Sequence, residues 1–207
     1  MKIPLRLAVI AAAAWILTAC ATTTFTSTWK APNETPLATA GRKIAAVFIS
    51  GDESSRRVAE DTLVQRINAR GAVGIAAYTL IPSAELRDME RVKARLSEAG
   101  IDGIVLMRVI EEKQKVSYTN ESPAFVPYYL RFSSYWDYGW REMYEPVRVA
   151  TDTVVSVETL VYSLRRDKLM WAGTSRTVNP AQLPTFVESL ADAATKEMQK
   201  QGLLARS

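Results

Sequence analysis

The sequence predicts an α/β fold: a single domain on one mixed β-sheet of about five to six strands, with helices packed on it. Three observations predict it. Over residues 43–110, apolar strand-like runs alternate with amphipathic helical stretches in the order β-α-β-α-β, which implies parallel pairing with right-handed crossovers. Val147 to Leu164 then alternates strictly and is followed by a polar loop and a returning strand, the mark of a β-hairpin. A last amphipathic stretch closes the order as β-α-β-α-β-(β)-β-β-α, with no internal repeat.

The first strand runs from Lys43 to Ser50. Ile44 to Ile49 is apolar on both faces, as a central strand covered on both sides requires. Ser50-Gly51-Asp52 turns the chain, and Asp52 or Ser54 can cap the helix that follows to about Arg70. Ala59, Leu63 and Ile67 recur at i, i+4 and i+8 and form its apolar stripe. Gly71 stops it. Val73 to Tyr78 is a short second strand. Pro82 and Ser83 open a second helix, with Ser83 as cap and Leu86, Met89, Leu96 and Ala99 facing inward, and Gly100 ends it. Ile101 to Ile110 is a third strand.

The pattern changes after that strand. Glu111 to Tyr118 reads as an exposed strand or extension. Residues 121–146 are irregular and aromatic. In the strand from Val147, one face carries Val149, Thr151, Thr153, Val155, Val157, Thr159 and Val161, all β-branched, while Arg148, Asp152, Ser156 and Glu158 lie on the other. Arg165-Arg166-Asp167-Lys168 makes the loop, and Leu169 to Thr177 returns. Asn179-Pro180 breaks that strand. Pro184 sits in the first turn of the last helix, whose stripe is Leu183, Val187, Leu190, Ala194 and Met198.

The start of the chain addresses it. Lys2 and Arg6 precede an apolar run, Leu7 to Leu17, shorter than the ~20 residues of a spanning helix. Leu17-Thr18-Ala19-Cys20 resembles the lipobox of bacterial lipoproteins. That resemblance implies cleavage before Cys20, a diacylglycerol thioether on its sulfur and acylation of the new amino group. Cys20 is the only cysteine, at the one place where this chemistry needs a thiol. Several acyl chains anchor stably, at ~0.8 kcal/mol per buried methylene. Ala21 stands where an aspartate would favour inner-membrane retention, so the resemblance points to the outer membrane. The expected organisation is a signal at 1–19, a lipidated cysteine and flexible tether at 20–42, and an α/β domain at 43–207 carrying the aromatic insertion at about 121–146. Within the tether, Phe25 to Trp29 is expected to pack on the domain as an edge strand.

Composition excludes several functions. Taking Lys2 and Arg6 from 26 basic residues leaves 24, against 22 acidic, so the mature chain is near neutral and has no electrostatic footprint for nucleic acid. There is no histidine, and acylation of Cys20 leaves no free thiol. These absences remove histidine triads, cysteine nucleophiles and nearly all zinc sites. No cofactor motif occurs.

The aromatic insertion is the most unusual stretch. Tyr128, Tyr129, Tyr135, Trp136, Tyr138 and Trp140 are its candidate contact residues, because tyrosine and tryptophan join an apolar ring to a polar tip. A lid over the sheet, a protein or glycan contact surface and a membrane-interface contact are the readings open to it. Other motifs are weaker. Ser27-Thr28-Trp29-Lys30 fits S-x-x-K, but no K-T-G follows and the serine lies seven residues from the anchor. Asp52-Glu53 and Glu111-Glu112 are adjacent carboxylates, whereas a glycosidase needs two across a cleft. Asp52 and Asp102 are expected at opposite ends of the sheet.

Lys43-Ile44-Ala45-Ala46-Val47-Phe48-Ile49 and Asp102-Gly103-Ile104-Val105 resemble strings in small envelope lipoproteins. The second is similar to strings in the amino-terminal domain of TolB and in the curli-secretion channel lipoprotein. This resemblance covers roughly 43–110 and implies assembly with partners rather than chemistry. The expectation is a non-enzymatic, lipid-anchored, periplasm-facing lipoprotein that binds an envelope partner or itself. The alternatives are a subunit of an oligomeric export assembly and a hydrolase without histidine or cysteine.

Overall fold

The structure is a computed structural model, and it describes residues 23–34, 36–119 and 148–204. Its strands are β1 (Thr23–Lys30), β2 (Lys43–Ile49), β3 (Val73–Ala76), β4 (Gly103–Thr119), β5 (Arg148–Ser163) and β6 (Lys168–Val178). They form one six-stranded sheet in the order β1-β6-β5-β4-β2-β3. β2 runs parallel to β3 and β4, and the other pairings are antiparallel. The helices are α1 (Glu53–Asn68), the single turn α2 (Ala77–Leu80), α3 (Met89–Glu98) and α4 (Leu183–Lys200). The mixed sheet with packed helices is as the sequence predicts.

Both faces are used. On one, Ala46, Phe48, Met107, Val155 and Val157 of the sheet meet Ala59 and Leu63 of α1 and Val187 and Leu190 of α4. Trp171, Met170 and Val161 continue this layer with Ala194 and Met198 of α4. On the other face, Ala45 meets Ala77, Ile81, Leu96 and Ile101 around α2 and α3. Each large apolar side chain fully buried here contributes roughly 1.5–3 kcal/mol. The β-branched alternation of β5 finds its reason in this arrangement: Val155, Val157, Thr159 and Val161 are all buried on the α1/α4 side.

Several boundaries differ from expectation. The stretch read as tether contributes β1, which pairs with β6 from Thr23 opposite Thr177 to Lys30 opposite Trp171. The expected edge strand thus begins earlier, at Thr23, and the sheet starts well before Lys43. β3 stops at Ala76 rather than Tyr78, and the chain turns directly into α2. Asp88, not Ser83, caps α3, accepting a hydrogen bond from Arg91 N at 3.2 Å. Ser83 instead opens a single 3₁₀ turn. Leu96 and Ala99 face the core as expected, joined by Val92, whereas Leu86, before the helix, and Met89, in its first turn, are 44% and 61% exposed.

The expected third strand and its exposed extension are one strand, β4, bent by a bulge between Val109 and Glu111. β2 pairs with it only from Gly103 to Arg108, and β6 pairs with β5 only from Val154 onward. Beyond these limits, β4 and β5 continue as a two-stranded ribbon, out to Thr119 opposite Arg148.

Candidate functional site

Cys20, Tyr128, Tyr129, Tyr135, Trp136, Tyr138 and Trp140 all lie outside the described residues. What the structure does describe is where the chain leaves the sheet toward each of them. β1 begins at Thr23, which stands opposite Thr177; Thr177 stands opposite Val155, and Val155 opposite Glu112. These four residues form one row across β1, β6, β5 and β4. The segment toward Cys20 therefore departs from the same end of the sheet as the ribbon that leads into the aromatic insertion.

Most described side chains of the ribbon are polar. Glu111, Glu112, Lys113, Gln114 and Lys115 are exposed, as is Val116, and Glu111 pairs with Lys113. Lys115 stands opposite Asp152, an opposite-charge cross-strand pair. Asn179 closes the end of β6. Its backbone N–H donates to Thr153 O at 2.7 Å, its side chain accepts from Thr153 N at 2.9 Å, and its amide donates to Asp152 Oδ1 at 2.8 Å. It does this with φ at 48°, a conformation asparagine tolerates. The base of the ribbon is thus hydrogen-bonded firmly, while its outer part has only its own two strands.

The candidate catalytic groups are not brought together. Ser27 stands opposite Thr174 and Lys30 opposite Trp171, an odd spacing that puts them on opposite faces of a strand rather than in the first turn of a helix. Lys30 Nζ donates to the carbonyl of Gln201 at 2.7 Å. Asp52 caps α1, accepting from Ser55 N at 2.7 Å, and the bonds from Ser55 hold its carboxyl below the usual range. Glu53 accepts from Arg57 at 3.0 Å and from Ser83 at 2.9 Å, which lowers its pKa as well. Both are anchored anions rather than proton donors near neutrality. Asp102 accepts from Lys43 N at 3.1 Å, at the start of β2, whereas Asp52 follows the end of that strand. They sit at opposite ends, as expected. Among the described residues, no three carboxylates cluster as a metal site would need, and no helix is long and apolar enough to cross a membrane.

One buried polar cluster was not foreseen. Glu60 is fully buried on α1, with Arg56 nearly so. Arg56 Nε donates to Glu60 Oε1 at 3.1 Å, and the same carboxylate accepts from Phe48 N at 3.2 Å and Tyr78 N at 2.7 Å. The signal was present in the sequence: positions 56 and 60 share a helix face with Ala59, Leu63 and Ile67. Its role is structural, since all its partners belong to the fold.

No protein-family model and no curated protein matches the chain. Among solved structures, it is similar to a PelC dodecamer from Paraburkholderia phytofirmans, with TM-score 0.48 and 13% identity over 90% of this chain and 100% of that one. It is also similar to the lipoprotein GNA1162 from Neisseria meningitidis, with TM-score 0.41 and 15% identity over 77% of this chain and 99% of that one. Both are distant, and no residue's role is taken from either.

Proposed function

We propose that the chain is an outer-membrane lipoprotein, held by lipid on Cys20 and facing the periplasm, that binds an envelope partner without catalysing a reaction. Residues 1–19 serve as the signal. The contact surface is the aromatic insertion, with Tyr128, Tyr129, Tyr135, Trp136, Tyr138 and Trp140 as its anchors.

The observation that supports this reading most is the shared row of Thr23 and Glu112. A lipid anchor and an aromatic segment that leave one end of a rigid sheet act at one surface. The six-stranded sheet fixes the base of the ribbon relative to Thr23, the first described residue after the anchor.

Replacing Trp136 and Trp140 by alanine tests it. The variant should keep the parent's melting temperature and circular dichroism and lose photo-crosslinks to envelope proteins. Loss of folding would make these residues part of the core and defeat the proposal, and so would unchanged crosslinking.

The second reading is a subunit of an oligomeric export assembly. It is favoured by a row on the α2/α3 side of the sheet that lies outside the cluster those helices make. Leu106 stands opposite Leu160, Leu160 opposite Ala172, and Ala172 opposite Trp29, which is 45% exposed. Light scattering on the purified mature protein separates the two. A monomer supports the tethered binding module, and a defined oligomer sensitive to Trp29→Ser supports the assembly.

A further inference from the structure

A cavity of about 920 Å³ opens between α1, α4 and the sheet, within the range of ~300–1,000 Å³ typical of small-molecule sites. Its walls are apolar: Leu63 and Ile67 of α1, Val105 and Val161 of the sheet, Ala194 and Met198 of α4. Its mouth is basic. Arg42, Arg66, Arg70, Arg165 and Arg166 line it, and Asp102 is the one carboxylate among the lining residues. The five arginines come from three separate places in the chain.

The charges at this mouth do not balance. Asp102 is shared by Arg42 at 3.5 Å and Arg165 at 3.7 Å. Asp192 is shared by Arg66 and Arg70. Among the described residues, two carboxylates thus serve these four arginines. Deeper in, Thr159 lines the cavity at 1% exposure, and its hydroxyl has no hydrogen-bond partner. The Nε of Arg66 is buried and unpartnered as well. Buried polar atoms are normally paired, so these two offer hydrogen-bonding capacity to whatever occupies the cavity.

We propose that this cavity binds a single-chain anionic amphiphile, with its acyl chain between α1 and α4 and its carboxylate or phosphate head among the arginines. An apolar chain satisfies the walls, and a planar or tetrahedral oxyanion matches the guanidinium donors and takes up the surplus charge. Gly103, Ser163 and Arg165 place the mouth at one end of the sheet, whereas Thr23 stands at the other, about 26 Å away along β5. The inference goes beyond the proposed function and stands without it.

Photo-crosslinking of the full-length protein in membranes tests it. The probes are a 16-carbon carboxylate, a monoacyl phosphate and an alcohol of the same length, each with a mid-chain diazirine. Label from the carboxylate, the phosphate or both should map to peptides of α1 and α4, and which probe labels identifies the head. The alcohol should label these peptides about tenfold less, as the loss of charge-assisted bonds implies. Arg42→Glu combined with Arg165→Glu, both exposed side chains, should lower anionic labelling by a similar factor at unchanged melting temperature. Label absent from both helices overturns the proposal. So does labelling that the alcohol matches and the charge reversal leaves unchanged.

Discussion

Glu60 accepts a hydrogen bond from the backbone N–H of Phe48, 3.2 Å away, at a point of β2 that β3 does not reach. β3 pairs with β2 only from Lys43 to Ala46, so Phe48 lacks a strand neighbour on that side. The second oxygen of Glu60 accepts from Tyr78 N at 2.7 Å, in the first turn of α2. One carboxylate thus serves two backbone donors that would otherwise be buried unpaired. It also accounts for the turn into a helix at Ala77, where residue pattern alone suggests that the strand continues.

Glu60→Ala should therefore destabilise the fold strongly, by about 3–5 kcal/mol, since it strands two backbone donors and the buried Arg56. Arg56→Met should cost clearly less, because Glu60 keeps both backbone partners and the guanidinium already has two nitrogens without hydrogen bonds. Urea unfolding of the two variants gives the comparison. Equal losses would mean that the ion pair, not the backbone capping, is what the site supplies.

Gly173 lies under two aromatic rings. Phe25 of β1 and Trp171 of β6 meet edge to face, with centroids 5.3 Å apart and planes at 75°. A Cβ built on Gly173 would come within 2.6 Å of the Phe25 ring and would also strike Trp171, which is fully buried and cannot swing away. Gly173→Ala should cost about 1–3 kcal/mol by overpacking. The melting temperature would then fall by roughly 2–4 °C for each kcal/mol. Because Phe25 packs β1 against Trp171 of β6, hydrogen exchange in β1 should rise more than in β5. Uniform acceleration would place the strain elsewhere.

Asp192 ties the last helix to the first by accepting from Arg66 and Arg70. Burial works against its ionisation, but the hydrogen bonds from Arg70 and Arg66 outweigh burial and hold the carboxyl below the usual aspartate range. A folded pKa below the unfolded value gives stability that is complete above the ordinary pKa of about 3.9 and lost as pH falls through the lower folded value. Unfolding midpoints should thus decline on acidification below about pH 4, and Asp192→Asn should show a shallower decline with a lower plateau at neutral pH. An unchanged acid slope in the variant would assign the decline to other carboxylates.

Periodicity made most of the fold legible. Ala59, Leu63 and Ile67 repeat at helical spacing and do face the core, and the β-branched positions of β5 from Val155 to Val161 are buried as their alternation requires. Periodicity says nothing of charge at a core position, so Arg56 and Glu60 were hidden by their own chemistry. Nor does it weigh rival caps: Asp88 prevailed over Ser83 and moved Met89 into solvent. Sheet order needs pairings across the chain, and only those put Thr23 level with Glu112. The arginines of the cavity mouth were invisible for the same reason, being close in space and far apart in sequence.

The shared row of Thr23 and Glu112 sets a limit on how the molecule can stand on a membrane. From that row, the ribbon continues seven residues to Thr119, about 23 Å at strand spacing. Cys20 is three residues from Thr23 and can lie at most about 11 Å away. With lipid on Cys20 in the bilayer, the sheet cannot stand upright unless the outer ribbon meets the same surface. Cys20 is the only cysteine, and in the lipid-anchored form proposed above its thiol is taken, so an introduced cysteine accepts a single spin label. On liposomes carrying the acylated protein, a label at Gln114→Cys should collide more with membrane-partitioned oxygen than with a water-soluble nickel complex. A label at Lys200→Cys, at the far end of α4, should show the reverse preference. If both labels report bulk water alike, the spacer lets the domain hang free, and the geometry of the row has no bearing on what the aromatic insertion touches.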